Sequence, residues 1–332
     1  MKTRRIGPFE VAEIGLGCMN LSHAYGAPPP ADEARNVLLR ALDLGITHFD
    51  TAALYGFGAN ESLVGATLAP HRRRFMLASK CGMTGVNGQR VIDGRPETLL
   101  RTCDESLRRL QTDVIDLYYL HRWDKKVPIE DSVGALGQLV KAGKIRAIGL
   151  SEVSAATLRK AHAVHPITAV QNEYSLWSRN PEIALLDACD ELGVTFVAFS
   201  PLGRGFLAGA VTDPATLYEK DIRRGMPRFQ EPHFSRNQEL LASLRQLGAD
   251  IGATPAQLAI AWLLNKRPSI VPIVGTTSIT HLQEDRQASG IALSQHVLAT
   301  LDRLINERTV AGARYPAATQ AEIDTEEFPT AS

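Results

Sequence analysis

The stretch that decides the fold is Ile46-Thr47-His48-Phe49-Asp50-Thr51-Ala52-Ala53-Leu54-Tyr55-Gly56. Its first residues are mostly apolar and predict a short buried strand that ends at the acid Asp50. A loop with a glycine follows, and the phenol of Tyr55 comes five residues after that acid. Because reactive side chains collect at the carboxyl ends of strands in parallel α/β folds, the stretch predicts such a fold with chemistry beside Asp50.

Strand and helix signals alternate on both sides of this stretch. Apolar runs predict strands at 11–16, 46–50, 75–79, 114–120, 144–150, 168–170, 194–199 and 270–274, with helical periodicity between them. The alternation predicts an α/β fold of the (β/α)8 TIM-barrel type, with a long loop after strand 7 at 200–235 and an extra C-terminal helix. We expect one barrel domain over residues 1–332, in which 314–332 form a flexible tail or a lid.

An open, doubly wound sheet is the alternative fold. That fold usually carries the pattern GxGxxG directly after its first strand. The first strand here ends in Gly15-Leu16-Gly17, with no third glycine at the right offset. The glycine pattern therefore favours the closed barrel.

The composition argues against several classes of protein. Lys plus Arg and Asp plus Glu both number 36, and the resulting net charge of +0 argues against broad binding to nucleic acid or anionic membranes. No apolar run reaches membrane-spanning length, and the first residues lack the apolar core of a signal peptide. The four cysteines have no CxxC spacing, which predicts a cytoplasmic protein without a zinc site or disulfide framework. We expect a monomer.

Four reactive side chains follow three consecutive predicted strands. Asp50 ends strand 2, Lys80 follows strand 3, His121 follows strand 4, and Tyr55 lies on the loop after strand 2. Because these strands are neighbours in a barrel, the four side chains are expected to meet at one edge of the C-terminal face. A cation at Lys80 would make Tyr55 a stronger acid, and Asp50 would hold that cation in place. His121 would orient a carbonyl oxygen or relay a proton.

The same grouping limits the chemistry. No nucleophile stands next to a base, which disfavours acyl transfer, and no His, Cys or carboxylate grouping has metal-ligand spacing. A proton donor without nucleophile or metal suits the reduction of a carbonyl, if a hydride donor binds beside it.

Over nearly its whole length the chain resembles an aldo-keto reductase. The stretches that carry the resemblance are Phe49-Asp50-Thr51-Ala52, Tyr55-Gly56, Ser79-Lys80, Leu120-His121, Gly149-Leu150-Ser151, Val170-Gln171-Asn172 and Phe199-Ser200-Pro201-Leu202-Gly203. The resemblance implies that Asp50, Tyr55, Lys80 and His121 form the catalytic tetrad. Two runs, Gly15-Leu16-Gly17-Cys18-Met19 and Tyr174-Ser175-Leu176-Trp177-Ser178-Arg179, resemble the bacterial and plant branch with pyridoxal-reductase-like and auxin-induced-like members.

The resemblance also implies where a nicotinamide cofactor binds. Ser151 and Gln171 would hold the carboxamide, and the ring of Phe199 would stack on the nicotinamide. The start of the long loop would wrap the pyrophosphate, with Arg204 as its cation. No contact is assigned to Glu152, which stands where many relatives have Asn. The full set of implied cofactor residues is Gly17, Met19, Asp50, Ser151, Gln171, Phe199, Ser200, Leu202, Gly203, Arg204, Gly205, Gly275, Thr276, Thr277, His281, Glu284 and Asp285.

Cofactor choice is where the chain departs from the family pattern. Relatives usually pair the 2′-phosphate of NADPH with Lys or Arg, but residues 275–281 contain neither. Hydroxyls in this segment and the imidazole of His281 offer weaker donors, whereas Glu284 and Asp285 are better suited to the adenine amine. NADP(H) is favoured on family grounds and NAD(H) is not excluded. We expect a smaller preference for NADP(H) over NAD(H) than a relative with Lys or Arg in this segment would show. Arg223 or Arg224 of the long loop are the alternative cations for the phosphate.

Three side chains are the candidates for contact with substrate: Met19, Trp123 and Trp177. For Trp177, a place in the core is an equally open interpretation. The substrate itself is not named by the sequence, since small aldehydes, sugars, pyridoxal and bulky ketones all suit a pocket at a barrel mouth. Two other functions remain as alternatives: a regulatory subunit that senses a nicotinamide cofactor, and a phosphate-binding isomerase, which the tetrad disfavours.

Overall fold

The chain folds into a closed barrel of parallel strands in this computed structural model, which describes residues 2–329. The barrel strands, in chain order, are β1 (Gly15–Gly17), β2 (His48–Asp50), β3 (Met76–Cys81), β4 (Ile115–Leu120), β5 (Ile145–Ser151), β6 (Ile167–Glu173), β7 (Thr195–Phe199) and β8 (Ile270–Val274). Each strand pairs in parallel with the next, and β8 pairs with β1. The predicted (β/α)8 barrel is therefore confirmed, and the open sheet is excluded.

Helices surround the barrel on the outside. Within the described residues they are α1 (Ala31–Asp43), α2 (Ala59–Leu68), α3 (Pro96–Leu110), α4 (Ile129–Lys141), α5 (Ala155–Val164), α6 (Leu185–Leu192), α7 (His233–Ile251), α8 (Pro255–Lys266), α9 (Ile279–Gln287), α10 (Gln295–Leu304) and α11 (Ala317–Gln320). In residues 2–329 no single helix is both long and apolar enough to cross a membrane, and α7 and α8 pass that test only together, across an 83° bend.

The strands are apolar because both of their faces are covered. All six residues of β4 are buried, as expected for a parallel strand between a barrel interior and a layer of helices. The barrel interior is filled by side chains of the strands, namely Met76, Ala78, Leu117, Tyr119, Ala147, Ala169, Val197, Val271 and Ile273. This packed interior closes the centre of the barrel, so the open space for chemistry lies at the C-terminal ends of the strands.

The predicted first strand at 11–16 is wrong in its extent. Its first part belongs to an antiparallel hairpin, Thr3–Ile6 with Phe9–Ala12, and only Gly15–Gly17 enters the barrel. Ile6 and Val11 pack under the interior layer, so the hairpin closes the N-terminal end of the barrel. An ion pair of 3.7 Å between Arg4 and Glu13 lies at the bend between the two pieces. The pattern of apolar residues continues through both pieces, so it does not indicate where the chain bends.

Strand β6 is longer than its apolar run. The prediction ended it at residue 170, but the ladder to β7 continues through Gln171, Asn172 and Glu173, with Glu173 opposite Phe199. Backbone pairing does not depend on apolar side chains, so polar residues can extend a strand. This extension carries three buried polar side chains onto the C-terminal face.

Two segments cover the C-terminal face. The loop after β7 runs through 3-10 turns at Pro214–Thr216, Ile222–Gly225 and Pro227–Phe229 before α7 begins at His233. The segment from Arg314 onward crosses the ends of β4 to β6, where Lys125 donates to the carbonyl of Ile323 at 2.6 Å and Ser154 donates to Asp324 at 3.0 Å. Residues 314–329 thus contact the ends of the barrel strands, and the last part of the predicted tail, 330–332, lies outside the described residues.

Candidate active site

A buried ammonium lies at the centre of the site. Lys80 on β3 is fully buried, and its Nζ donates to Oδ1 of Asp50, to the carbonyl of Thr51 at 2.9 Å and to the hydroxyl of Tyr55 at 3.2 Å. Strands β2 and β3 are paired neighbours, which brings Asp50 and Lys80 side by side. The structure thus brings together the acid, the cation and the phenol that the sequence singled out.

The pKa of Tyr55 differs from the expectation that Lys80 makes this phenol a stronger acid. Burial raises the pKa of Tyr55, and the opposing effects of Lys80 and Arg122 only partly offset it. Burial alone would lower the pKa of Lys80, but Asp50 and Tyr55 outweigh it and raise that pKa. The expected effect of the cation is present, but desolvation of the buried phenol outweighs it. In this structure Lys80 is therefore an ammonium and Tyr55 a neutral phenol that keeps its proton.

His121 completes the group directly after β4. Its ring is edge-on to Tyr55, with 5.7 Å between ring centroids, and its Nδ1 is buried without a hydrogen-bond partner in residues 2–329. Burial, followed by the charges of Lys80 and Arg122, lowers the pKa of His121 well below its usual value. The imidazole is therefore neutral, which suits a hydrogen bond to a carbonyl oxygen better than proton transfer.

The two residues expected to hold a carboxamide lie beside this group. Gln171 on β6 donates from Nε2 to Oδ2 of Asp50 at 2.7 Å, and Ser151 at the end of β5 accepts from Arg122 at 3.2 Å. Both are buried, while Phe199 at the end of β7 is only partly buried. Amide, hydroxyl and ring face thus lie on three adjacent strand ends, an arrangement that fits a nicotinamide.

Arg204 has a different partner from the one expected. Its Nη2 donates to Glu173 at 2.6 Å and to the hydroxyl of Tyr315 at 2.6 Å, while its Nη1 donates to Tyr25 at 3.0 Å. The guanidinium is therefore committed to a buried carboxylate, and its assignment as the pyrophosphate cation is not supported here. Glu173 lies 31 residues away from Arg204, so no local sequence pattern indicates this pair.

A second buried ion pair lies beside the first. Arg314 from the C-terminal segment binds Glu152, which follows β5 in a left-handed conformation with φ of 55°. Glu152 also accepts from the backbone N–H of Glu173 at 2.9 Å. This pair explains why an acid can replace the Asn of many relatives: it has its own cation. Glu152 departs visibly from the family pattern, but its partner Arg314 is 162 residues distant and no sequence pattern indicates it.

The start of the long loop makes a tight turn over the site. Gly203 has a φ of 55°, and a Cβ there would lie 2.7 Å from the indole of Trp177. Ser200 and Arg204 also have positive φ, at 52° and 60°. The turn fits an anion bound by backbone N–H groups, in which Leu202 and Gly205 would take part as expected.

The segment after β8 divides into an open and a closed part. Gly275, Thr277 and His281 are exposed, while Thr276 is buried, and Ser278 caps the N-terminus of α9 by accepting from the backbone of His281 at 3.3 Å. The N-terminus of a helix next to an exposed threonine hydroxyl fits a phosphate, which can bind the N–H groups that the cap leaves unpaired. This part agrees with the expected position of the adenosine phosphate.

The acids that follow point away from that open part. Glu284 accepts from the hydroxyl of Thr254 at 2.5 Å, at the start of α8. Asp285 is buried, and burial, with a smaller effect of Glu284, raises its pKa to about 7. Their expected contact with adenine is therefore not supported, because their side chains face the protein. Helical periodicity alone did not reveal which face of α9 packs on the barrel.

The three candidate substrate residues fall into two groups. Met19 and Trp123 are half-buried at the ends of β1 and β4, and Trp123 donates to the carbonyl of Val127 at 2.7 Å. Trp177 is 3% exposed and stacks on Phe206 with 4.2 Å between ring centroids. The substrate role predicted for Trp177 is thus not supported, because an aromatic cluster under the long loop encloses its ring.

Comparison with known proteins gives a consistent result over the whole barrel. The family model described as Aldo/keto reductase family matches residues 13–306. The chain is similar to Aldo-keto reductase yakc of Schizosaccharomyces pombe, whose name specifies NADP(+), with 42% identity over 322 residues, 95% of this chain and 94% of that protein. It is also 42% identical to Probable aldo-keto reductase 1 of Glycine max over 309 residues, 92% of this chain and 89% of that protein.

A solved structure agrees with the fold. The glycerol dehydrogenase AKR11B4 from Gluconobacter oxydans superposes with a TM-score of 0.84 at 27% sequence identity. The match covers 95% of this chain and 98% of that one, so the barrel and its surrounding loops correspond along nearly the whole length.

Proposed function

The chain belongs to the aldo/keto reductase family, and on that premise we propose that it is an NADP(H)-dependent oxidoreductase. It would reduce the carbonyl of an aldehyde or ketone to an alcohol, reversibly, with Tyr55 as the general acid. The observation that carries the proposal is the buried ammonium of Lys80, which contacts Asp50 and the hydroxyl of Tyr55 at once. A bound NADPH would supply the hydride that the carbonyl carbon accepts.

The chain's own residues would handle the proton and the oxygen. Tyr55 gives its proton to the carbonyl oxygen as negative charge develops there. Lys80, 3.2 Å from that hydroxyl, stabilises the tyrosinate left behind, and Asp50 keeps Lys80 in position. His121, neutral at physiological pH, donates a hydrogen bond that orients the same oxygen.

The residues at the strand ends match the chemical groups of a nicotinamide cofactor. Ser151, Gln171 and Phe199 offer a hydroxyl, an amide and a ring face on neighbouring strand ends. The start of α9, with Gly275 and Thr277 exposed before it, offers N–H groups and a hydroxyl to a phosphate. The similar yeast protein's name specifies NADP(+), which favours NADP(H) as the cofactor of this chain.

The experiment is a spectrophotometric screen of NADPH and NADH oxidation against a panel of carbonyl compounds. It compares the wild type with Tyr55→Phe and Tyr218→Phe. Tyr55→Phe keeps the ring but removes the proton, so reduction should fall by about 10²–10⁴-fold while NADPH binding remains. Tyr218→Phe removes a hydroxyl from an exposed loop residue and should retain wild-type rates. Tyr55→Phe turnover above half of wild type, with hydride transfer shown to limit the rate, would refute the role of Tyr55. Tight cofactor binding without turnover of any carbonyl would instead favour a regulatory, cofactor-sensing protein.

A further inference from the structure

Arg122 places a guanidinium across two strand ends at the mouth of the site. It follows His121 directly and is half-buried. Its Nη1 donates to the carbonyl of His121 at 2.6 Å and to the hydroxyl of Ser151 at 3.2 Å. These two bonds tie the guanidinium to the ends of β4 and β5, beside the residue that would orient the carbonyl oxygen.

Arg122, unlike three other arginines on this face, has no paired carboxylate in the described residues. Arg204 is paired with Glu173 at 2.6 Å, Arg90 is paired with Glu322 at 2.7 Å, and Arg314 is paired with Glu152. No carboxylate of residues 2–329 lies within 4.0 Å of Arg122. Asp50 and Lys80 form a pair of their own, so neither offsets the charge of Arg122.

The free edge of Arg122 has the geometry of an anion-binding group. Only its Nη1 donates to the protein, so Nε and Nη2 have no acceptor in the part of the chain that the structure describes. Neither nitrogen is among the buried unpartnered atoms, so both reach solvent. The N–H groups of Nε and Nη2 lie on one edge of a guanidinium and can bind a carboxylate or phosphate with two parallel hydrogen bonds.

The charge of Arg122 also reaches the catalytic group. It acts to lower the pKa of Tyr55 and contributes to the lowered pKa of His121. An anion bound to its free edge would therefore lie near the position of the carbonyl, not at a remote surface.

We propose that Arg122 binds an anionic group of the substrate, so that the preferred substrates are aldehydes or ketones that carry a carboxylate or phosphate. This rests on the proposed carbonyl reduction and leaves its chemistry unchanged. The carbonyl carbon gains a hydride, its oxygen gains the proton of Tyr55, NADPH is oxidised to NADP+, and the anionic group is neither transferred nor altered. Trp123, the next residue, is half-buried and supplies an apolar wall for the body of such a molecule.

The test compares matched carbonyl compounds that differ only in charge. The probes are 4-carboxybenzaldehyde, its neutral methyl ester and 4-formylphenyl phosphate, each measured with saturating NADPH. The wild type should give a higher kcat/KM for the anions than for the ester. In Arg122→Gln the anion-to-ester ratio should fall by about tenfold to a hundredfold, mainly through KM of the anions, because a charge-assisted bidentate contact is lost. Arg122→Lys should restore part of the ratio, since lysine keeps the positive charge but cannot make the two parallel hydrogen bonds of a guanidinium.

Arg101→Gln is the matched control, because it removes the same charge from an exposed position on α3 and should leave the ratio as in wild type. The carboxylate and phosphate probes show which anion is preferred. A wild-type ratio of one or less overturns the proposal, and so does an equal loss for ester and anions in Arg122→Gln, which would assign Arg122 to Tyr55 or to the cofactor. If the ester is reduced but the anions are not preferred, only this inference fails. If no carbonyl is reduced, the proposed function fails with it.

Discussion

Gln171 donates a hydrogen bond from Nε2 to Oδ2 of Asp50 at 2.7 Å, while Lys80 occupies the other oxygen of the same carboxylate. Asp50 is 1% exposed, so its charge depends on these two donors and has no water to replace them. The bond joins the cofactor side of the site, at the end of β6, to the proton-donating side at β2 and β3. A change at Gln171 is therefore transmitted to the position of Lys80.

The first prediction concerns this bond. Gln171→Leu leaves Oδ2 of a buried carboxylate without a donor, which should loosen Lys80 and slow hydride transfer by about tenfold or more, even at saturating NADPH. Single-turnover kinetics with preloaded NADPH separate this effect from weaker cofactor binding. Gln171→Glu should slow hydride transfer further, because it places a second negative charge beside Asp50. If Gln171→Leu changed only the Kd of NADPH, Gln171 would serve the carboxamide alone.

The second prediction is a pH profile. A general acid works while it is protonated, and the pKa of Tyr55 is raised by burial beyond what Lys80 and Arg122 offset. The rate of reduction should therefore stay level through neutral pH and fall only at alkaline pH, as pH rises through that raised pKa. Because the pKa of His121 is lowered well below its usual value, no second step is expected near pH 6. Single-turnover rates between about pH 6 and pH 10 check this, and a decline centred near pH 7 would contradict it.

The tetrad could be predicted from sequence because each of its members directly ends or follows an apolar strand. Strand order in a barrel then makes Asp50, Lys80 and His121 neighbours without any knowledge of side-chain packing. The ion pairs of Arg204 and Arg314 could not be predicted in this way. Their partners are 31 and 162 residues distant, and the contact depends on how two irregular segments cross the barrel mouth.

The third prediction tests the second of those ion pairs. Arg314 and Glu152 have side chains only 6% and 0% exposed, so Arg314→Met leaves a buried carboxylate unpaired and should cost about 3–5 kcal/mol of unfolding free energy. The double variant Glu152→Gln with Arg314→Met should cost less than the single one, because no buried charge remains. Urea unfolding measures both. Arg159→Met, which breaks the exposed pair with Glu191, is the control and should leave the free energy of unfolding nearly unchanged. Additive losses would show that the two buried charges do not depend on each other.

The fourth prediction concerns Asp285 and the pH dependence of stability. Burial, helped by Glu284, raises its pKa from 3.8 to about 7, so the folded protein binds the proton more tightly than the unfolded chain. Its contribution to stability is complete below pH 3.8 and is lost as pH rises towards about 7. Asp285→Asn should remove this loss and stabilise the protein at about pH 8 by up to about 4 kcal/mol, with little gain at about pH 4. Thermal unfolding at both pH values tests this, with the exposed Glu219→Gln as control. An equal change in Tm at both values would contradict it.

The fifth prediction concerns the choice between NADPH and NADH. The exposed part of residues 275–281 carries hydroxyls and His281 but no Lys or Arg. Of the alternative cations, Arg223 is paired with Asp221 at 2.6 Å, whereas Arg224 is exposed and donates to the carbonyl of Leu217 at 2.9 Å. Neutral donors at the start of α9 bind a 2′-phosphate less tightly than a guanidinium or ammonium does.

We therefore expect only a modest preference for NADPH, and we expect Thr277→Arg to increase it by about tenfold or more by adding a charge-assisted contact. His281→Ala should weaken NADPH binding and leave NADH binding nearly unchanged, since the imidazole is exposed beside the first turn of α9. Fluorescence titrations of both cofactors into each variant supply the measurement, with Arg224→Gln as the comparison. A strong NADPH preference that survives His281→Ala but is lost in Arg223→Gln would show that Arg223 leaves Asp221 to bind the phosphate, and that the long loop rearranges around the cofactor.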